Sequence, residues 1–404
     1  MEKSILHLDL DAFFVSCERL RDSSLKNKPL LVGGLSDRGV VAASSYETRA
    51  YGIYSGMSMK MARAMCPEAI CIKGDSGIYS SYSNLVTDVI RDEVPLFEKT
   101  SIDEFYVDLS GMDKFFGNYK YAKELRTRII NETGLPISFG LSQNKVVSKV
   151  ATGEAKPNNE LKIDYGYEKP FLAPLSIRKI PMVGNSTSQT LQNLGIYKIR
   201  KLQEMPLDVM KSVLGKNGET IWRRAQGIDN TPVVPYTERK SISTERTYEK
   251  DTTDVLKMKE SLIAMAEKIA YQLRMDDRLT ACITLKIKYS DHKTYSKQKR
   301  IAYTSSDDKI ISTILDLFKT LYNRRILVRL IGVKASHLVK GCHQIDLFDD
   351  NESLLNLYSS MDTIRNRFGA SAIMRASAMD SKSIRSNRNP FNGEPPIVLA
   401  RRKQ

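Results

Sequence analysis

The chain has 404 residues, 41% of them hydrophobic and 27% charged, with a net charge of +15 and a pI near 9.4. No apolar run approaches the roughly 20 residues that a membrane-spanning helix needs, and the length predicts several domains, about two to four, instead of one core. The basic surplus predicts a polyanionic partner, nucleic acid before an anionic membrane. Five cysteines (Cys17, Cys66, Cys71, Cys282, Cys342) form no CxxC pair, and the four histidines are scattered. That argues against zinc and for a reducing cytoplasm.

In chain order, MEKSILHLDLDAFF carries acids inside its first apolar run and no small-residue cleavage site. It reads as the start of a folded strand (residues 4–10), not as a signal peptide. Residues 11–75 mix two strands, in KPLLVGG and GVVAASS, with a helix through MKMARAM that Pro67 ends. A helical pattern covers 78–94, a strand 101–110, a helix 119–132, the strand PISFGLS 136–142 and a helix 144–153. Strands and helices at this spacing predict a mixed α/β unit. Over 165–230, short helices are broken by Pro and Gly. Two similar turns, IPMVGNSTSQTLQNLGI and VLGKNGETIWRRAQGI, suggest helix-hairpin-helix elements whose turn amides can hold a phosphate. A linker follows at 231–241, then strand, long helix, two strands, helix and strand between 242 and 340. In ACITLKIKYS, Ile283, Leu285, Ile287 and Tyr289 alternate with Thr284, Lys286 and Lys288, giving one face for a core and a basic face for phosphates. Residues 242–340 hold 20 Lys and Arg against 12 acids. The pattern turns helical again at 352–368, and a Ser-, Arg-, Asn- and Pro-rich tail closes the chain.

Two acidic sites sit oddly in this pattern. Asp103 and Glu104 are neighbours within SIDEFYVDLS, where two carboxylates repel each other beside apolar strand residues. Asp9 and Asp11 lie in LHLDLDAFF. If the strands at 4–10 and 101–109 pair, Asp9, Asp103 and Glu104 can converge, and a cation is their natural neutraliser. Oxygen ligands without His or Cys select Mg²⁺ over zinc. Such a constellation suits polymerases, nucleases and cyclases alike.

Four motifs narrow the choice. LDLDAFF (8–14), SYETRAYG (45–52), SIDE (101–104) and NKVVSKVATGEAKPN (144–158) resemble, in order and spacing, those of the Y-family (translesion) DNA polymerases. The likeness covers essentially the whole chain and is nearest to the bacterial polymerase IV type, with a tail similar to the polymerase V catalytic subunit. It implies an α+β multidomain fold of right-hand architecture. The palm would span 1–10 and 76–164, small fingers 11–75, and a helical, helix-hairpin-helix thumb 165–230. After the linker come a β-α-β-β-α-β little finger at 242–340 and a clamp-binding and tail region at 341–404.

The resemblance implies that Asp9 and Asp103 bridge two Mg²⁺ ions, with Mn²⁺ as a possible substitute, that the Leu10 carbonyl adds a ligand, and that Glu104 holds the ion on the primer side. Tyr46, Arg49 and Lys156 match residues that hold the incoming dNTP, with Arg as a planar fork and Lys as a point charge. Phe14 matches a steric gate against ribose, and Phe13 reads as core. Asp11 reads as a structural hydrogen-bonding acid. QIDLF, with Gln344, Leu347 and Phe348, resembles a peptide that binds the sliding clamp. A small fingers region implies a roomy site and low-fidelity copying of damaged primer–template DNA; no segment offers an exonuclease's acidic cluster, and a monomer is expected. The family often has Gly where this chain has Asn159, and PGxG where it has Pro181-Met182-Val183-Gly184; Asn also tolerates positive φ. Two other readings compete: an inactive DNA- and clamp-binding protein, and a two-metal nuclease.

Overall fold

Ile5–Leu10 (β1) is the central strand of a five-stranded sheet. The computed structural model describes residues 3–112, 117–324, 326–341, 351–369 and 372–379. These divide into two compact units, one running to Thr237 and the other starting at Glu238.

In the first unit, β1 runs antiparallel to Glu104–Asp108 (β6) on one side and to Ile137–Ser142 (β7) on the other. Phe97–Lys99 (β5) and Glu160–Lys162 (β8) are its edges. Leu6, Leu8 and Leu10 share one strand face and join the core with Phe105, Val107, Phe139 and Leu141. Two helices, Ser76–Glu93 (α4) and Asn118–Thr133 (α5), add Val86, Ile90, Leu125 and Ile129 to it. Over the sheet also lies Lys145–Ala155 (α6), in close contact with β7 and β1. Gly140 permits that approach, because a Cβ there would stand 2.2 Å from the Ser148 carbonyl oxygen.

Residues 11–75 hold Phe13–Arg21 (α1), Leu30–Gly33 (β2), Val41–Ser44 (β3), Tyr46–Arg49 (α2), Met59–Met65 (α3) and Ile70–Ile72 (β4). The three strands form their own small sheet, β3-β2-β4. Residues 165–230 open with the short helices Glu168–Leu172 (α7), Asn185–Asn193 (α8) and Ile199–Glu204 (α9), packed around Leu172, Ile177, Leu191, Ile199, Leu202 and Ile221. Leu207–Leu214 (α10) and Lys216–Ala225 (α11) make a tight hairpin, in which a Cβ on Gly218 would meet the Met210 carbonyl oxygen at 2.0 Å. At the other predicted hairpin, Met182 adopts φ 78°, so a side chain stands in the left-handed region that glycine enters at little cost.

The second unit is a four-stranded sheet, β11-β10-β12-β9, backed by Val255–Met275 (α12) and Asp307–Leu321 (α13). Its strands are Ser241–Thr252 (β9), Arg278–Tyr289 (β10), Thr294–Thr304 (β11) and Val328–Lys340 (β12). Ile283, Leu285, Ile287 and Tyr289 are buried while Thr284, Lys286 and Lys288 are partly exposed, the alternation expected of them. Asn351–Phe368 (α14) is bound to α12 and α13 by polar contacts. Arg274 donates to Asp307 (2.6 Å) and to both oxygens of Asp362 (2.6 and 3.0 Å), while the Tyr358 hydroxyl donates to Asp308 at 2.6 Å.

Some predicted elements shift. The strand expected over 101–110 is a ladder only over Glu104–Asp108, with residues 101–103 bent in front of it. Ser101 is the cause: its hydroxyl accepts the amides of Asp103 (3.3 Å) and Glu104 (2.9 Å), a local bond that competes with strand pairing. The three-residue strands β4, β5 and β8 and the helix α1 were not expected. Three residues are too few to show a period, and α1 follows β1 with little more than Ala12, at φ 44°, as a turn.

Candidate active site

The β1–β6 register sets Asp9 directly opposite Glu104, and the Leu10 amide donates to the Asp103 carbonyl at 3.0 Å. Carboxylates almost a hundred residues apart in sequence therefore meet at one end of the sheet. Ser101 also orients the adjacent pair, donating to Asp103 Oδ1 at 2.5 Å. Burial, together with Glu104 and Asp103 and against the pull of Lys156, pushes the Asp9 carboxyl up to about 7. Burial likewise raises Asp103. Asp9 and Asp103, both held above their ordinary range by burial, are acids that a cation would relieve.

Lysines of the chain supply part of that relief. Lys156 donates to Asp9 at 2.5 Å and stands 3.8 Å from Asp11. Lys149 reaches both Glu104 oxygens, at 2.6 and 2.5 Å. Lys145 bonds Glu98 on β5 at 2.6 Å. At helical spacing, positions 145, 149 and 156 fall on one side of α6 and its C-terminal cap, so a row of ammoniums faces a row of acids on β5, β6 and β1. Buried His7 on β1 registers this row: burial first, then Lys149, Lys156 and Lys145, hold its pKa well below the usual imidazole value. Among the described residues, no three His, Cys, Asp or Glu side chains make a ready metal cage. The oxygen-only donor set still fits a hard divalent ion, since Mg²⁺ takes few protein ligands and completes its shell with phosphate and water.

Beside the acids lies α2. Ser45 caps it by accepting the Thr48 amide, at 3.4 Å. The Arg49 guanidinium lies 4.6 Å from the centre of the Tyr46 ring, and its Nε donates to the Ser44 carbonyl at 3.2 Å. Tyr46 donates its hydroxyl to Asp11 Oδ1 at 3.2 Å. Asp11 Oδ2 accepts from Ser138 Oγ at 2.7 Å and from the Asn158 amide at 2.8 Å, so this buried carboxylate joins β1, β7, α2 and the turn after α6. The left-handed residue of that turn is Asn158, at φ 48°, not Asn159 as the sequence suggested. Donation of the Asn158 amide to Asp11 explains which of the two asparagines bends.

Phe14, half-buried, stacks on Tyr79 with ring centres 4.4 Å apart and planes 16° from parallel. Tyr79 is fixed by a 2.6 Å hydrogen bond to Glu18. Phe13 is fully in the core. Sequence reasoning missed Tyr79, Lys149 and Ser101. The lysine spacing was visible, but only the fold shows that this face of the helix covers acids. Gln344, Leu347 and Phe348 lie outside the described residues. The four described cysteines are free, and no described helix is long and apolar enough to cross a membrane.

The first unit thus carries a sheet with acids at one end and a basic helix above them, and comparison with known proteins bears on it directly. The impB/mucB/samB family profile matches residues 8–153 and that family's C-terminal domain matches 239–347. The thumb domain of DNA polymerase-iota matches 178–229. The DNA polymerase IV of Dehalococcoides mccartyi strain BAV1 is 37% identical over 92% of this chain and 96% of its own. That of Desulfatibacillum aliphaticivorans is 32% identical over 92% and 96%. Among solved structures, a Y-family DNA polymerase chimera of Dbh and Dpo4 superposes with a TM-score of 0.74 at 26% identity, covering 84% of this chain and all of its own. DinB from Sulfolobus solfataricus gives 0.58 at 26% identity over the same shares.

The chain belongs to the Y-family of DNA polymerases. It is a DNA-directed DNA polymerase for low-fidelity translesion synthesis, in a family that uses divalent metal ions.

Proposed function

We propose that synthesis takes place where Asp9, Asp103 and Glu104 converge, with primer–template DNA and a dNTP as substrates and two Mg²⁺ ions held by these carboxylates and the Leu10 carbonyl. The observation that carries this reading is the pairing of Asp9 with Glu104 across β1 and β6, with Asp103 at the adjoining bend. When bound, the ions supply charge neutralisation for an in-line phosphoryl transfer. Around them the chain's own residues position the nucleotide. Lys156 gives a point charge, Arg49 a planar fork and Tyr46 a hydroxyl to the triphosphate. Asp11 keeps Tyr46 tied to the sheet.

The domains follow the same assignment. Residues 1–10 and 76–164 form the palm, 11–75 the fingers, 165–230 the thumb, 231–241 a linker and 242–340 the little finger. Gln344, Leu347 and Phe348, within 341–404, would dock on a sliding clamp, their likeness to a Q-x-x-L-F peptide supporting this. Such tethering raises the effective concentration of a monomeric cytoplasmic enzyme at the primer end without new DNA contacts.

Phe14 is the sugar gate, and Tyr79 gives it rigidity. A ring stacked on Tyr79 has little room to retreat from a ribose 2′-hydroxyl. Phe14→Ala is expected to raise ribonucleotide incorporation about tenfold or more relative to deoxynucleotide, with most deoxynucleotide activity kept. Competitive single-nucleotide extension measures the ratio. An unchanged ratio would remove Phe14 from the site.

A further inference from the structure

We infer that Lys149 is a positioning residue that withholds Glu104 from metal until primer DNA is bound. This rests on the assignment of Glu104 as a metal ligand above and goes beyond it. One ammonium lies within 2.6 Å of both Glu104 oxygens. A divalent cation on the same oxygens would meet that positive charge at contact distance, so the metal and Lys149 compete for one carboxylate.

The three lysines of the row are not equally held. Lys145 is 10% exposed and bonds both Glu98 and the Pro232 carbonyl, at 2.6 and 3.1 Å. Lys156 is 20% exposed and stands near two acids, Asp9 and Asp11. Lys149, 34% exposed, has Glu104 as its one ion partner among the described residues and is the most exposed of the three. A DNA backbone arriving at the acidic end of the sheet presents phosphates that attract such an ammonium. Once Lys149 turns to a phosphate, Glu104 is open to metal. Binding linkage is reciprocal, so primer and metal then favour each other by the same factor.

The test is Mn²⁺ binding to the full chain without nucleotide, read from the free-ion signal in electron paramagnetic resonance, with and without a primer–template duplex. Lys149→Met is expected to tighten Mn²⁺ binding about tenfold in the absence of DNA. DNA should tighten binding to the wild type by a similar factor and to the variant by about twofold at most. Lys145→Met removes the same charge one helical turn away without baring Glu104, and should change little. Lys149→Gln serves if the Met variant melts early. The inference is overturned if Lys149→Met and Lys149→Gln bind Mn²⁺ as the wild type does, or if Lys145→Met reproduces their effect. Glu104→Gln and Asp9→Asn separate the two levels: if neither weakens Mn²⁺ binding, the metal assignment itself fails. If both weaken it while Lys149 is silent, only the present inference falls.

Discussion

Asp103→Ala is expected to stop primer extension while leaving DNA bound. Asp103 precedes β6 in a bend fixed by Ser101, so removing its carboxylate leaves the β1–β6 ladder intact. What is lost is one acid of the cluster proposed to hold the ions that neutralise the transferring phosphate. Such neutralisation contributes several kcal/mol, which corresponds to a fall of about a thousandfold in the single-turnover rate. Duplex binding, followed by fluorescence anisotropy, should hold or tighten slightly, because a negative charge has left the path of a polyanion. A variant that still extends primers within about tenfold of wild type would refute the metal-ligand role. Loss of binding together with loss of extension would mean that Asp103 is structural.

The second large effect concerns stability. Arg274→Ala is expected to destabilise the unit that begins at Glu238 by about 3–5 kcal/mol, because it strips a buried network of its central cation. The guanidinium bonds Asp307, whose side chain is fully buried, and both oxygens of Asp362, and it lies 4.8 Å from the Tyr358 ring centre. Burial already holds the Asp307 carboxyl above its ordinary range in spite of the arginine. Without the arginine, that acid must protonate or open the interface with α14. For a unit of this size the change lowers the midpoint of thermal unfolding by about 10–15 °C, which calorimetry on the full chain would resolve. A shift of about 2 °C would show that the network adds little. Arg274→Met, which keeps much of the packing volume, should recover little, since the defect is the unpaired charge.

What the sequence makes legible follows from how far each signal depends on partners. The alternation in β10 is local, and burial of Ile283, Leu285, Ile287 and Tyr289 follows it residue by residue. Asp9, Asp103 and Glu104 stand out because acids inside apolar strands need a reason. Lys149 does not stand out, because a lysine on a helix is ordinarily solvated. It becomes interesting only once Gly140 has let α6 settle on the sheet. The helical pattern at 352–368 is legible, but not which of its sides is covered: polar Tyr358, Asp362 and Arg365 are buried, against the usual rule. Tyr358 and Asp362 find their partners in Asp308 and Arg274, far away in sequence, so no periodicity could reveal it. The Asn158–Asn159 exchange is a failure of the same kind, since only the Asp11 contact decides which asparagine bends.

The sheet of the second unit has a liability in its long edges. Among the described residues, β9 and β11 each leave one side without a neighbouring strand, and such borders invite another chain to continue the ladder. Here they carry exposed Lys297, Lys299 and Arg300 on one edge, and Glu245, Glu249 and Lys250 on the other. Side chains suited to a phosphate backbone on β11 thus also deter stacking of one molecule on the next. Replacing them with apolar residues would invite self-association even where the fold is unharmed.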